Sequence, residues 1–524
     1  PGRRLGRSRG TLAWLLAGLP GVLGCSSTET AETAPEDDGV IPQVPVPAAD
    51  GPKLVATKHG LIVRDRPSLA GKPLGTFALG AQVARSEEPY STRGCAGGWY
   101  PVRPRGFVCA GVEASTDLGS PAAKALAAQA ALDKALPYRY AQISGSTGVS
   151  YAFLPSSKEQ LEAEPKMGSR RPSDPERLGA AANDVPLDQA YAPTGPPVLL
   201  PVAEGVGADG YRTSESFFVF AEGDGAPLAE GATLQLEEGQ AARIRVLRRK
   251  SGVALSRTLL LGEGAGARRF GIMPDGYFIP TDGLSAALGS TWHGLALAGE
   301  ESLPLGFALR GGVPTYHLDK NTVTRQDEEL EPSEAIALSG RFRTVDSVLY
   351  YYSKDEFWVR HKDMIVVAQR NRYPDWATPT QKWIDISLAN QTLVAWEGHK
   401  PSYATLISSG RDRLGDPQTG PSPVQGVFRL RSKHVSRNVD DREVEQAYSV
   451  AEAPWVMEFH EGFSLVGSYW SQQFGEAGSY HDVALSPIDA HWLWGWSDPQ
   501  LPDGWHSLNI PEDLEQNTIV YIHK

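Results

Sequence analysis

The clearest alternation of apolar and polar residues lies in the last third of the chain, and it predicts paired strands. Between residues 383 and 388 the side chains switch faces at every position, which is the period of a half-buried strand. Asn390 and Gln391 predict a turn, and residues 392–396 predict the returning strand. Two further strands are predicted, at 403–408 and 454–459.

Strand-like runs separated by glycine turns also occur earlier, so the middle of the chain is predicted to be β-rich. Residues 198–312 carry this pattern, which favours antiparallel pairing. Two segments, 275–284 and 355–367, share an acidic turn, two aromatic residues and an apolar residue or run, which suggests a repeated hairpin. An alanine-rich stretch at 121–136 has few helix breakers and predicts a helix.

The first 25 residues have the features of an export signal. Four arginines within the first nine residues precede an apolar core that is too short to span a bilayer. Residues 22–25 resemble a bacterial lipobox, which implies lipidation at Cys25 and, with Ser26 next, an outer-membrane destination facing the periplasm. An ordinary signal peptide with an incidental cysteine is the alternative. The acidic, proline-rich residues 26–52 predict a disordered tether.

Residues 53–118 predict a small β-barrel. The runs at 61–64, 98–102 and 106–108 resemble those of the bacterial Src-homology-type barrels found in cell-wall enzymes. This resemblance implies a wall-binding module, and a packing domain without a ligand is the alternative. Besides Cys25 the chain has only Cys95 and Cys109, both in this region, and in an exported protein they are expected to form a disulfide.

Composition narrows the possible partners. The formal net charge of −12 and the absence of a basic stripe with aromatic residues argue against nucleic-acid binding. A chain of 524 residues with 41% hydrophobic residues can bury cores in several domains. No Walker, Rossmann or zinc-ligand spacing is present, so neither a cofactor nor a metal is predicted.

A long set of residues near the C-terminus carries a specific resemblance. The matching residues are Gly467, Tyr469, Trp470, Phe474, Gly475, Ser479, Leu485, Ser486, Pro487, Asp489, Ala490, Trp492 and Leu493. Their order resembles the active-site segment of the L,D-transpeptidases (YkuD-type domains), the cysteine enzymes that cross-link bacterial peptidoglycan. The resemblance implies a β-sandwich domain at 381–511, with peptidoglycan as its partner. It also implies that the substrate groove includes Gly467, Tyr469, Trp470, Phe474 and Ser479.

The residues that perform the family's chemistry are replaced. Val466 and Tyr480 stand where the resemblance asks for histidines, and Asp482 stands where it asks for the nucleophilic cysteine. Sliding His481 onto the motif histidine leaves Ala484 at the cysteine position, so neither register restores a thiol. Acyl transfer through a thioester needs a thiolate, a histidine base and oxyanion donors. Losing the nucleophile of such a pair costs on the order of a million-fold in rate.

Other histidine-centred chemistries are less well supported. The spacings of His460, His481 and His491 do not match a helical metal motif. His434 is placed near the groove by its position in the domain, and a surface loop is an equal interpretation. Ser479, His481 and Asp482 remain as candidates for a serine hydrolase, but three neighbours on one loop seldom point together.

The sequence therefore predicts a lipid-anchored, mainly β, multidomain protein of the periplasm. The predicted segments are a signal (1–25), a tether (26–52), a barrel (53–118), a helix and β-rich middle (119–335), a hairpin region (336–380), the transpeptidase-like domain (381–511) and a tail (512–524). Four functions are weighed: a pseudoenzyme that binds the wall, an active transferase with a rebuilt nucleophile, a structural domain whose groove is closed by Tyr480 and Val466, and the serine hydrolase.

Overall fold

The fold is mainly β, as the sequence predicts. The computed structural model describes residues 40–111, 113–119, 130–145, 147–152, 155, 160, 162–164, 244–261, 268–297, 303–412, 422–440, 449–479 and 482–524. Within these ranges there are 33 strands, one α-helix and further helical residues at 160, 162 and 163. The predicted export signal with Cys25, the segment 165–243 and the loop residues Tyr480 and His481 lie outside the described residues. None of the helices in the described part is long and apolar enough to cross a membrane.

Seven short strands form the N-terminal region, where the barrel is predicted. They are β1 (Lys53–Ala56), β2 (Leu61–Arg64), β3 (Pro73–Phe77), β4 (Gln82–Ala84), β5 (Trp99–Pro101), β6 (Phe107–Cys109) and β7 (Ala114–Ser115). Strands β4, β1 and β7 form one small sheet, and β3, β2, β6 and β5 lie together in a larger one. A disulfide joins Cys95 to Cys109, with their Cα atoms 5.8 Å apart.

Part of the predicted tether packs on this region. Pro47 is buried, and its carbonyl oxygen accepts a hydrogen bond from the guanidinium of Arg103 at 3.0 Å. Val44 packs against the cluster around Trp99. The disorder predicted up to residue 52 is therefore corrected for this part, because an apolar side chain within the polar stretch finds a buried site on the barrel.

In the described part of the chain, nine strands follow between residues 139 and 296. They are β8 (Arg139–Ile143), β9 (Thr147–Tyr151), β10 (Ile244–Arg248), β11 (Gly252–Leu255), β12 (Arg257–Leu261), β13 (Arg268–Ile272), β14 (Phe278–Pro280), β15 (Leu284–Ala286) and β16 (Leu295–Ala296). Five of them form a sheet in the order β10-β9-β14-β13-β12. Ahead of them, residues 130–136 form turns, which corrects the described part of the predicted helix. The helix predicted from local propensity does not form here, because backbone carbonyls of this segment accept hydrogen bonds from distant side chains. The Ala135 carbonyl, for example, accepts one from the Trp455 indole N–H at 2.6 Å.

A seven-stranded sheet follows, in the order β19-β18-β22-β21-β20-β17-β23. Its strands are β17 (Leu305–Ala308), β18 (Val313–Asp319), β19 (Thr322–Leu330), β20 (Ala335–Val345), β21 (Val348–Ser353), β22 (Trp358–Arg360) and β23 (Met364–Val367). The sheet spans the predicted boundary between the middle and hairpin regions, because β20 begins at that boundary. The division at residue 335 is corrected accordingly.

The two segments predicted to repeat do share a local structure. In each, a strand, a 3-10 turn and a second strand follow one another, with turns at Thr281–Gly283 and His361–Asp363. The strands within a unit do not pair with each other: β14 pairs with β13 and β15 with β8, while β22 pairs with β21 and β23 with β17. The predicted hairpins are therefore corrected to turns that pass the chain from one partner strand to another.

The C-terminal region is a sandwich of two sheets. Its elements are β24 (Lys382–Ser387), β25 (Thr392–Glu397), β26 (Lys400–Leu406), β27 (Gly426–Arg429), β28 (Ser432–Asp440), β29 (Ser449–His460), β30 (Phe463–Gly467), β31 (Val483–Leu485), α1 (Pro487–Trp496), β32 (Ser507–Asn509) and β33 (Ile519–His523). One sheet has the order β16-β26-β25-β24-β33-β27. Its inner face, including Ile384 and Ile386, shares a core with Met457 and Leu465 of the other sheet.

The predicted tail at 512–524 is corrected to part of this core. Strand β33 runs parallel to β24 and pairs on its other side with β27. Val520 is 0% exposed and Ile522 is 1% exposed. The pairing partner of β33, strand β24, lies more than a hundred residues earlier in the chain, beyond the reach of a local sequence pattern.

The other sheet is continuous across the predicted domain boundaries. Ten of its strands run in the order β15-β8-β11-β29-β28-β32-β3-β2-β6-β5. Strand β32 joins the C-terminal region to the barrel strand β3, and Gly252 of β11 pairs with Val450 of β29. At the first junction the two backbones approach so closely that a Cβ on Gly75 would lie 2.1 Å from the carbonyl oxygen of Ser507. Only glycine fits there.

Helix α1 is capped at both ends by side chains. Ser486 is the N-cap, and its hydroxyl oxygen accepts a hydrogen bond from the Asp489 N–H at 3.1 Å, while Pro487 occupies the first turn. At the other end the fully buried amine of Lys433 donates to the carbonyl oxygens of Trp494 at 2.6 Å and Ser497 at 2.8 Å. A cation or an amine donor at a helix C-terminus satisfies carbonyls that have no partner within the helix.

We expect Lys433 to make stability depend on pH in the alkaline range. Burial lowers the pKa of Lys433 from 10.5 to about 7, against the opposing charge of Asp498. Between these two values the unfolded chain holds a proton that the folded chain does not, so the contribution of Lys433 is present above pH 10.5 and is lost as the pH falls towards 7. Chemical denaturation of wild type and Lys433→Met from pH 7 to 10 should show the stability difference changing in favour of wild type by on the order of 1 kcal/mol per pH unit. A difference that stays constant over this range would contradict the assignment.

Candidate functional site

The segment that resembles an active site lies between two adjacent parallel strands. Strands β30 and β31 pair in register, with Leu465 opposite Val483 and Val466 opposite Ala484. The intervening residues leave the sheet after Gly467 and return at Asp482. The loop is held from the other side by residues 408–410, since Gly478 and Ser479 donate their N–H groups to the Ser409 carbonyl at 3.0 and 3.1 Å.

Val466 lies in the sandwich core rather than at a surface. It is 1% exposed, and it packs in a cluster with Tyr140 and Val456. A histidine in this place would bring two polar ring nitrogens into an apolar cluster, at a cost of several kcal/mol unless they were hydrogen-bonded. The position that the resemblance assigns to a histidine is therefore used here for packing.

The carboxylate of Asp482, the residue that the sequence resemblance aligns with a nucleophilic cysteine, binds the backbone. One carboxylate oxygen accepts a hydrogen bond from the Ser464 N–H at 2.9 Å. The side chain of Ser464 in turn accepts from Arg437 at 2.8 Å, and Arg437 forms an ion pair with Glu458 at 2.6 Å. The Asp482 carboxylate thus links the start of β31 to β30, and Ser464 and Arg437 continue this polar network to Glu458.

The hydroxyl of Ser479 also points into the loop. It donates a hydrogen bond to the backbone carbonyl of Asp482. The hydroxyl proton is therefore not directed at a side-chain base, as it would be in an activated serine nucleophile. Tyr480 and His481 lie outside the described residues, so the third member of the serine hydrolase hypothesis stays a prediction. The chain has no cysteine after Cys109, and hence no thiol in this region.

Tyr469, predicted to line the groove, is covered by the middle region. Its ring stacks on that of Tyr140 with centroids 4.1 Å apart, and its hydroxyl donates to the Ala451 carbonyl at 3.1 Å. Tyr469 is 1% exposed. Gly252 of β11 lies against the hydroxyl, where a Cβ would approach to 2.0 Å. The side chain is therefore part of a packed contact between β8, β11 and the C-terminal region.

The other predicted groove residues have similar surroundings. Phe474 is buried and stacks on Trp292 at 6.0 Å between centroids. Gly467 is buried beside α1, and Trp470 is half-buried with its ring perpendicular to that of Tyr469. Among the described members only Ser479 and Trp470 retain partial exposure. The covering residues, Tyr140, Gly252 and Trp292, carry no sequence signal of their own, because they lie far from the loop along the chain.

Asp489 is the most completely satisfied carboxylate of the region. It is 1% exposed and accepts hydrogen bonds from the Tyr403 hydroxyl and the Thr405 hydroxyl, each at 2.6 Å, and from the Gly294 N–H at 2.9 Å. Burial raises the pKa of Asp489, and these hydrogen bonds oppose the rise. Its oxygens connect helix α1 to β26 and to the segment before β16, so its role is structural.

The remaining histidines of the region do not converge on the loop. His434 lies on β28 with its Nε2 atom 2.9 Å from the Ser432 hydroxyl, and desolvation lowers the pKa of His434 to about 3. His491 lies on α1, where its Nε2 atom is 2.9 Å from the Leu132 carbonyl. His460 is exposed at the end of β29. No described histidine therefore supplies a base to Ser479 or Asp482.

Comparison with solved structures finds L,D-transpeptidases at low identity. The L,D-transpeptidase of Xylanimonas cellulosilytica is 18% identical with a TM-score of 0.21, and the match covers 29% of this chain and 65% of that one. The enzyme of Mycobacterium smegmatis is 14% identical with a TM-score of 0.22, covering 36% and 78%. The catalytic domain from E. faecium is 20% identical with a TM-score of 0.21, covering 28% and 98%. No family model and no curated protein matches the chain.

Proposed function

We propose that this protein is a non-catalytic peptidoglycan-binding protein of the cell envelope, built on an L,D-transpeptidase-like domain. The proposal rests on the sequence of the segment from Val466 to Trp496, which keeps the family's supporting residues while replacing its reacting ones. It also includes a lipid anchor at Cys25 and a periplasmic location, both taken from the first 25 residues.

One observation carries the loss of catalysis. The group at the nucleophile position is the Asp482 carboxylate, which accepts the Ser464 N–H, and the neighbouring Ser479 hydroxyl donates to the Asp482 carbonyl. A carboxylate that attacked an amide would form a mixed anhydride, which is an unfavourable intermediate for acyl transfer. Both candidate nucleophiles hold the loop together instead, and the chain has no thiol beyond Cys109 to replace them.

The burial of Tyr469 favours a second candidate function, in which the domain is purely structural. The Tyr140 ring covers Tyr469 and the Trp292 ring covers Phe474, so two side chains of the expected groove contact the protein's own middle region. The two candidates differ in whether the chain binds peptidoglycan at all.

Purified peptidoglycan sacculi should retain the protein without being changed by it. The experiment incubates the protein with sacculi, pulls the sacculi down, and analyses the muropeptides by mass spectrometry. We expect binding, no new L,D cross-link and no acylated protein, because a lost nucleophile lowers the rate by on the order of a million-fold.

Two variants serve as matched controls. Ser479→Ala and Asp482→Asn each remove one candidate nucleophile, and both should leave sacculus binding unchanged. New cross-links that disappear in either variant would overturn the loss of catalysis and identify the rebuilt nucleophile. Failure of the wild type to sediment with sacculi would reject wall binding and favour the structural alternative.

A further inference from the structure

A cluster of three metal-ligating side chains lies outside the loop described above. His59, Glu452 and His506 each offer a ligand atom, and these atoms all lie within 4.8 Å of one another. The Nε2 atom of His59 lies 3.4 Å from a carboxylate oxygen of Glu452. The carboxylate is 4% exposed and the His59 side chain 24%, so the cluster is almost enclosed but reachable from one side.

The three residues come from three separate elements. His59 lies in the turn between β1 and β2 of the barrel, Glu452 lies on β29, and His506 immediately precedes β32. The cluster therefore sits where the barrel meets the C-terminal sheet, close to the β3–β32 pairing. The rings of His59 and His506 meet edge to face, with centroids 5.4 Å apart.

Glu452 is held in place on several sides. Its backbone is in the left-handed region at φ 52°, its N–H donates to the Asn438 side chain at 2.9 Å, and its carbonyl accepts from the Tyr140 hydroxyl at 2.7 Å. The second carboxylate oxygen accepts from the Ser436 hydroxyl at 2.5 Å. A residue other than glycine in this conformation costs free energy, and such positions concentrate at functional sites.

The imidazoles differ in how far the protein satisfies them. The Nε2 atom of His506 lies 3.1 Å from the Ser436 carbonyl, the kind of contact that fixes the tautomer of a metal-binding histidine. The buried Nδ1 atom of His59 has no hydrogen-bond partner within the described ranges. One metal ion cannot bind both nitrogens of an imidazole, so the Nε2 atom of His59, which lies 3.4 Å from the Glu452 carboxylate, is the one that can serve as a ligand.

We propose that His59, Glu452 and His506 bind a divalent transition-metal ion of the zinc class. Two imidazoles and one carboxylate match the ligands of zinc, with bond lengths of about 2.0–2.2 Å. Tetrahedral bonds of that length place neighbouring ligand atoms roughly 3.3–3.5 Å apart, which agrees with the 3.4 Å between His59 and Glu452. The other pairs of ligand atoms also lie within 4.8 Å, so the side chains would close on the ion when it binds, and a water would complete the four-coordinate site.

An ion here would fasten the barrel to the C-terminal sheet. His59 and Glu452 are 393 positions apart (452 − 59), and Glu452 and His506 are 54 apart (506 − 452). No local sequence motif could therefore predict the site. The absence of zinc spacing in the sequence predicted no metal, and the fold supplies the proximity that the spacing lacks. The site is independent of the proposed wall binding.

Metal binding to the full chain tests the proposal. The protein is stripped with a chelator and titrated with zinc chloride in a calorimeter, and bound metal is counted by elemental analysis. We expect one zinc per chain in the wild type. His59→Ala and Glu452→Gln should each weaken binding by on the order of 100-fold or more, since even residues that only orient ligands contribute 10- to 100-fold.

A control variant and a spectroscopic measurement distinguish loss of the metal site from a general effect of substitution. His317→Ala removes an exposed histidine on β18 and should leave stoichiometry and affinity unchanged. His59→Ala alters a turn side chain and retains the backbone, so it serves even where Glu452→Gln fails to fold. Cobalt bound in place of zinc should give the absorption of a tetrahedral site in the wild type and lose it in His59→Ala. A stripped wild type that takes up no stoichiometric zinc, or a His59→Ala protein that binds zinc as well as wild type, would overturn the site.

Discussion

Replacing Asp489 by alanine should lower the free energy of unfolding by about 3–5 kcal/mol. The change removes the acceptor of three buried donors, namely the hydroxyls of Tyr403 and Thr405 and the N–H of Gly294. A buried donor left without a partner costs about 1–3 kcal/mol. The Thr405 hydroxyl also lies 3.3 Å from the Leu406 carbonyl, so part of its loss can be recovered.

Denaturant unfolding of Asp489→Ala and Asp489→Asn separates these contributions. The asparagine keeps one acceptor oxygen, so its loss should fall between wild type and alanine. Asp503→Ala, an exposed acidic position just after the helix, should change stability by less than about 0.5 kcal/mol. If Asp489→Ala unfolds at the same denaturant concentration as Asp503→Ala, the hydrogen bonds assigned to Asp489 do not stabilise the fold.

Replacing Gly252 by alanine should be nearly as harmful, although it adds a single methyl group. The new carbon would lie 2.0 Å from the Tyr469 hydroxyl and 2.8 Å from the ring carbon that carries it. The ring cannot move freely because it stacks on Tyr140 and bonds to the Ala451 carbonyl. Overpacking of this kind costs about 1–3 kcal/mol, and the rigid surroundings favour the upper part of that range.

A double-mutant cycle identifies the clash as the cause. Tyr469→Phe removes the oxygen that meets the new methyl group and loses one hydrogen bond, at about 1 kcal/mol. The combined Gly252→Ala/Tyr469→Phe protein should lose at least about 1 kcal/mol less than the two single losses together. Gly283→Ala is the control, since a Cβ there meets nothing within 4 Å. Additive losses would mean that the middle region does not press on Tyr469.

Local pattern predicted the local structure well. The alternation at 383–388 and the turn at Gln391 correspond to β24 and the connection to β25. These signals act within a few residues, through side-chain periodicity. The mainly β class followed from the same periodicity.

Contacts between distant segments could not be predicted from the sequence. The alanine-rich residues before Leu136 have helical propensity, but the Ala135 carbonyl accepts a hydrogen bond from the distant Trp455 indole instead of from a helical N–H. Strand β33 was predicted as a tail, because its partner β24 lies more than a hundred residues away. The covering of Tyr469 by Tyr140 and the meeting of His59 with Glu452 depend on the same long-range pairing.

The place of β33 also constrains the order in which the chain can fold. Strands β24 and β27 each pair with β33, so both keep an open edge until residues 519–523 have been synthesised. During that interval the nascent sheet exposes unpaired N–H and C=O groups to other chains. Loop closure over such separations is slow, and we therefore expect the C-terminal sandwich to form only once residues 519–523 are available and to need protection from aggregation until then.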